Sequence, residues 1–424
     1  VSAKPLGLFE GVGVEVEYMI VDARSLDVLP RSDHVLHSVA GEYAAEVERG
    51  ALAWSNELVL HVMEIKTNGP APALRGLDET VLGDVRQIER ILSGIHGRLM
   101  PGAAHPWMDP SRETRLWPHE DNEIYEAFDR VFGCTGHGWS NLQCTHLNLP
   151  FDGDAEFARL HAAIRLVLPI IPALAASSPI LDGRVTGLMD SRMHFYRENQ
   201  KKIPSITGRV IPEPVYTRGE YEEKILGPMY ADIAPYDRDG TLRNEWLNAR
   251  GAIARFDRGA IEIRIIDVQE CPSADMAILH AITTVLRALV AEKWQPLERQ
   301  KRADTGALDS ILVATTHVAD AAMIRDRDYL DAFGVRAREA SAGELWSHLV
   351  EAVVAADADF AGAWQEAMAV VLSAGPLSRR ILRAVTGDRP GLAARFSLDR
   401  ERLHAVYGSL CECLAENRMF RGGE

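Results

Sequence analysis

Glu15 and Glu17 lie two residues apart in Gly11-Val12-Gly13-Val14-Glu15-Val16-Glu17-Tyr18-Met19-Ile20, a segment whose even positions are all apolar. Side chains alternate faces along a strand, so this spacing predicts a strand with both carboxylates on one side. Their Cβ atoms would stand ~6.5–7 Å apart, twice the rise per residue. That separation suits ligands around one or two hard divalent cations such as Mg2+. The rest of that face is Gly11, Gly13, Met19 and Val21. Such a face is poorly suited to open solvent and better suited to a semi-enclosed cleft.

Three further segments read as strands bearing chemistry. His61–Thr67 carries Glu64 between apolar Met63 and Ile65 and stops at Asn68-Gly69-Pro70, a strong breaker. Glu57 falls on the opposite face if it shares one straight strand with Glu64, which makes it the weaker candidate. Leu142–Leu149 sets Cys144, His146 and Asn148 on one face. Asp257-Arg258-Gly259 predicts a hairpin turn between residues 249–256 and 260–268. On its second arm Ile261, Ile263 and Ile265 take one face, and Glu262 and Arg264, with Ile266, the other.

Each of these acids taken singly has an ordinary structural explanation. Four very hydrophobic strands that each carry ligand-type residues form a pattern. Oxygen donors with one histidine point to Mg2+, or Mn2+ in its place, whereas zinc sites use more His or Cys. Arg264 sets a guanidinium two residues from Glu262. A metal beside a fixed arginine is what a transferring phosphoryl group needs, while a plain ion pair on one strand face reads equally well. Arg250, Arg255 and Arg258 flank the same hairpin and add to the anion-site reading. No P-loop and no Gly-x-Ser-x-Gly elbow is present, and Gly133–Gly138 does not match the dinucleotide fingerprint.

These residues must be held by a sizeable fold. The chain has 424 residues, 47% of them hydrophobic, enough for a large core and two or three domains. The pattern divides it into 1–290, strand-rich and chemically loaded, and 291–424, Ala-rich and helical. Helices are predicted near 77–99, 155–168, 274–294, 343–372 and 400–416 from apolar spacings of three and four. The formal charge of −15 disfavours nucleic acid as a partner and allows small anionic substrates. Five cysteines without a Cys-x-x-Cys read as reduced, cytoplasmic usage. The apolar stretch 162–180 is broken by Arg165, Pro169 and Pro172, so a buried helix is expected there rather than a membrane span. A homo-oligomer is left open.

The ordered set Gly13–Tyr18, Asn56–Thr67, Cys144–Leu149 and Gly259–Arg264 resembles glutamate–cysteine ligase family 2, the carboxylate–amine ligases. Ala176-Ser177-Ser178-Pro179, Asp182-Gly183-Arg184, Gly187 and Arg192 resemble that family's middle motif. No single motif is specific; their order is, over roughly residues 8–290. The resemblance implies an α+β fold like the catalytic domain of glutamine synthetase. That is a curved, mostly antiparallel sheet forming an active-site tunnel, with outer helices and here a helical C-terminal region packed on the core.

The resemblance also implies a reaction. ATP would phosphorylate a carboxylate, typically the γ-carboxylate of glutamate, and an amine, typically that of cysteine, would displace phosphate. The product would be γ-glutamylcysteine, on the way to glutathione. Carried over by position, Glu15, Glu17, Glu64, His146 and Glu262 would hold Mg2+. Glu64 and Arg264 would serve catalysis, and Arg264, Arg255 and Arg258 would meet ATP. Arg192 would take a substrate carboxylate in a bidentate way. Some members carry His-x-His on the third strand. Here it is His146-Leu147-Asn148, and a neutral amide reads as a substrate contact or a partner of the ligands. Two alternatives stand beside this reading: a phosphotransferase acting on a guanidino group, and a nucleotide-binding protein of the same fold without turnover.

Overall fold

In a computed structural model, the structure describes residues 5–357, 359–387 and 397–422. Eight strands make one sheet: β1 (Gly13–Asp22), β2 (Glu46–Arg49), β3 (Leu52–Asn56), β4 (Val62–Thr67), β5 (Gly97–Met100), β6 (Cys144–Pro150), β7 (Ala252–Arg255) and β8 (Ala260–Asp267). Their order is β2-β3-β4-β1-β6-β8-β7, and β5 pairs with the far end of β1. Every pairing is antiparallel. The sheet is open rather than closed into a barrel.

One face of the sheet is packed shut. Val14, Val16, Tyr18 and Ile20 of β1, Met63 and Ile65 of β4, Leu147 and Leu149 of β6, and Ile261 and Ile263 of β8 are buried in a single core. Helices α1 (Leu77–Ser93), α3 (Gly153–Val167) and α5 (Pro272–Val290) contribute to the same core. A one-residue slip of β1 would turn Glu15 and Glu17 into that core and expose its apolar set, at roughly 1.5–3 kcal/mol for each large side chain. The alternation visible in the sequence therefore fixes which face carries the carboxylates.

The α+β class is as expected, with several local differences. The predicted helix 77–99 ends at Ser93, because Gly94 follows and the chain turns back into β5. Residues 343–372 form two pieces, an eight-residue helix (Ala342–Leu349) continued by a π segment up to Val354 and then α6 (Ala363–Ala374). Two further helices are α2 (Asn122–Phe132) and α4 (Ser191–Glu198). Two helices close the described chain, α7 (Leu377–Thr386) and α8 (Arg400–Glu416). A helix predicted over 400–416 is thus observed over those residues.

The apolar core does not stop at residue 290. Trp346, Leu349, Trp364 and Met368 join the helices behind the sheet, and Leu377, Ile381, Tyr407 and Leu410 pack on Met19, Val21 and Met100. Helix α5 is long and apolar enough to cross a bilayer by length and composition, and 83% of its apolar window is buried inside this core. All five cysteines are buried.

Candidate active site

The open face of the sheet carries a cavity of ≈ 680 Å³. Its lining includes Glu15 on β1, Glu64 and Lys66 on β4, His146 and Asn148 on β6, and Arg255, Arg258, Glu262 and Arg264 on the β7–β8 hairpin. Register explains how they meet. Glu15 stands opposite Lys66 on one side and His146 on the other. Glu17 stands opposite Glu64, and Asn148 is opposite both Gly13 and Glu262. Gly13 is needed there: a Cβ at that position would sit 2.9 Å from Asn148 Cβ.

Strand β8 carries a bulge that the alternation rule does not foresee. Its register with β6 shifts between Ile263 and Ile266, so Arg264 and Ile265 together face the position of His146. Beyond the shift Ile266 pairs with Thr145 and is buried in the core, whereas a straight strand would set it beside Glu262 and Arg264. Asp267 pairs with Cys144 and so reaches the same face as Glu262.

The groups at the centre bind one another. His146 Nδ1 is 2.8 Å from Glu15 Oε2 and 3.7 Å from Glu262 Oε1, and its Nε2 is 3.0 Å from Cys144 Sγ. Asn148 donates to Glu15 Oε1 at 3.0 Å. Burial works against the charge of Glu15, but its bond to His146 and the charges of His146, Lys66 and Arg264 hold it down at about 2. Burial likewise opposes an imidazolium, yet Cys144 and Glu15 raise His146 well above its ordinary value. Arg264 Nε lies 2.9 Å from Glu262 Oε1.

A second group lies toward β3. Ser55 donates to Glu64 Oε1 at 2.6 Å, and Lys66 Nζ is 3.1 Å from the same atom. Glu57 reaches this group because β3 ends at Asn56 and the chain turns before β4, so the two acids do not share one straight strand. Burial, then Glu15 and Glu17, push Glu64 up to about 7 against the pull of Lys66. Burial, then Glu17 and Glu64, raise Glu57 well above the carboxylate range.

Among the described residues, three sets could each share one ion, with ligand atoms within 4.8 Å of one another: Glu15, Glu64 and His146; Glu17, Glu57 and Glu64; and Glu17, Cys144 and His146. The raised values of Glu57 and Glu64 reflect acids buried together with too little positive charge beside them. A divalent cation would supply that charge, and the oxygen-rich donor set fits Mg2+. The third set adds a sulfur, which a softer ion prefers.

Not every predicted residue faces the cavity. Glu17 lies behind it, taking the Cys144 amide at 2.9 Å and its thiol at 3.2 Å. Arg192, expected to bind a substrate carboxylate, does not line the cavity. It is buried on α4, 3.3 Å from Asp267 Oδ1, and it donates to the Arg264 carbonyl at 2.5 Å. The bulge explains this, because it turns Asp267 toward Arg192. Arg255 binds Asp257 at 3.1 and 3.2 Å and lies 3.6 Å from Glu262, while Arg258 is 60% exposed at the mouth. Lys66 was not singled out from the sequence, although Glu64-x-Lys66 on β4 repeats the spacing of Glu262-x-Arg264 on β8.

Known proteins resemble this chain in sequence and in fold. The family model for glutamate–cysteine ligase family 2 matches residues 11–393. An uncharacterized protein of Archaeoglobus fulgidus is 36% identical over 283 residues, covering 66% of this chain and 75% of its own length. A "Putative glutamate--cysteine ligase 2" of Bradyrhizobium sp. (strain BTAi1) is 28% identical over 291 residues, 65% of this chain, and the match spans 60% of the relative. A solved glutamate–cysteine ligase of Francisella tularensis in complex with AMP shares the fold, with a TM-score of 0.60 at 11% identity over 99% of this chain and 91% of that one. The chain belongs to glutamate–cysteine ligase family 2.

Proposed function

We propose that the chain is an ATP- and Mg2+-dependent carboxylate–amine ligase, acting on glutamate and cysteine as the leading substrate pair. The observation that carries this reading is the convergence of Glu15, Glu64, His146 and Glu262 with Arg264 on one cavity from four different strands. In the proposed reaction a substrate carboxylate oxygen bonds to the terminal phosphorus of ATP as ADP leaves. The amine then bonds to the activated carbonyl carbon, phosphate departs with the C–O electron pair, and the amine gives up a proton.

Bound Mg2+ would neutralise phosphate charge and orient the phosphoryl group. Glu15, Glu17, Glu64, His146 and Glu262 would hold it. Arg264 is aimed by its ion pair with Glu262 and by the hydrogen bond that Arg192 gives its carbonyl. It is therefore preorganised to meet negative charge that grows on peripheral oxygens. Arg255, lining the cavity, and Arg258, exposed at its mouth, would meet the remaining phosphates. Asn148 orients Glu15 and lines the cavity beside it. Residues 1–290 would form the catalytic core, and 291–424 the helical region that backs it.

The test is ADP and phosphate release in Mg2+ with glutamate fixed and common amines varied, followed by other carboxylates. Amine-dependent release supports the ligase. ATP consumption without free phosphate would instead favour transfer to a guanidino group. No release across the panel would leave a nucleotide-binding protein without turnover.

A further inference from the structure

The cations lining the cavity fall on two sides. Arg255, Arg258 and Arg264 all belong to the β7–β8 hairpin. Lys66 stands on β4, and among the described lining residues it is the lysine or arginine supplied from that side. It shares a cross-strand row with Glu15, His146 and Arg264, at the end opposite Arg264. Neighbouring strands lie about 4.8 Å apart, so the backbones of Lys66 and Arg264 are separated by three such intervals, ~14 Å. A polyphosphate held by the three arginines leaves Lys66 free for a different anionic group.

The surroundings of Lys66 point the same way. Its Nζ is 2.8 Å from Glu46 Oε2 and 3.1 Å from Glu64 Oε1. An ammonium has three donors, and these pairings use two. The side chain remains 26% exposed to the cavity, and Glu46 is 48% exposed. The other charged groups nearby are acids: Glu15, Glu46, Glu57 and Glu64. Lys66 is the lining lysine or arginine that attracts an anionic ligand entering from that side. Arg192, the other candidate for this task, is sealed against Asp267.

The geometry points to Lys66 as the residue that holds a carboxylate of the non-nucleotide substrate and so selects for an acid on that side of the cavity. This rests on the ligase reading above. The test uses the full chain as wild type, Lys66→Met and Lys66→Arg. Calorimetry measures the binding of L-glutamate in the presence of Mg2+ and a non-hydrolysable ATP analogue, and the binding of the analogue alone. Lys66→Met is expected to weaken glutamate at least tenfold while analogue affinity stays within twofold, and Lys66→Arg to recover most of the loss. Unchanged glutamate affinity in Lys66→Met, equal loss of both ligands, or no glutamate binding to the wild type would each overturn the inference. The ligase reading fails separately: a wild type that never releases ADP, yet loses glutamate on Lys66→Met, sinks that reading and keeps this one.

Discussion

Glu15 on β1 and His146 on β6 face each other directly across the strand pair, with Oε2 of one 2.8 Å from Nδ1 of the other. Asn148 holds the second oxygen of Glu15, so both oxygens are fixed before any ligand arrives. Glu15→Gln keeps the shape and the bond from Asn148 but removes the charge. Turnover is expected to fall by at least about a hundredfold, with the Mg2+ requirement shifted to higher concentration. ADP release against Mg2+, alongside a thermal melt, checks this. Activity within a fewfold of wild type would remove Glu15 from the metal site.

Glu64 sits in a different balance, between Lys66 and Ser55 on one side and Glu15 and Glu17 on the other. Glu64→Gln relieves like-charge crowding and loses the Lys66 pairing, two effects of opposite sign on stability. The variant is expected to stay folded, within about 1 kcal/mol of wild type, and to lose turnover by at least about a hundredfold. Retained turnover in the folded variant would exclude Glu64 as a ligand.

The site was legible in the sequence where alternation carries the information. Val12, Val14, Val16, Tyr18 and Ile20 define a face by type alone, and the opposite face then follows from geometry. The same rule placed Glu262 with Arg264 and Cys144 with His146 and Asn148. It failed where one residue breaks the period. The bulge in β8 sent Ile266 into the core and Asp267 to Arg192, and a bulge leaves little mark in a run of isoleucines. At Glu57 the rule left the face conditional on a straight strand, and the turn between β3 and β4 removes that condition. Lys66 is illegible for another reason: its match to Arg264 emerges only when β4 and β8 are seen to flank β1 and β6.

Asp275 offers a pH test away from the cavity. It lies buried on α5, and its Oδ1 accepts from Thr145 at 2.8 Å and from the Gln269 amide at 3.0 Å, while its Oδ2 has no hydrogen-bond partner among the described residues. Burial pushes it up to about 8 from an ordinary value of 3.8. The fold thus prefers the protonated acid. Its contribution is complete below the unfolded-state value and is lost as pH rises toward about 8, at no more than ~1.4 kcal/mol per pH unit. Asp275→Asn should flatten the fall in stability between pH 5 and 8, read as denaturant midpoints. Parallel pH profiles for the two proteins would refute this account.

Arg380 on α7 ties the C-terminal helices to the strand face through fully buried charge. It pairs with Glu270, just beyond β8, and donates to the carbonyls of Phe420 at 2.6 Å and Gly375 at 3.1 Å. The Phe420 amide in turn donates to Glu270 at 3.2 Å. Breaking a buried pair from one side strands the other charge, so Arg380→Met should cost about 3–5 kcal/mol. Arg380→Met combined with Glu270→Gln removes that stranded charge and should cost less than Arg380→Met alone. The order matters for the role of residues 291–424. If they formed a separate unit resting on the core, Arg380→Met would melt in two steps and a chain ending at residue 290 would fold. A core that includes Trp346, Trp364 and Tyr407 predicts instead a single cooperative transition for the variant and no folded product from the truncation.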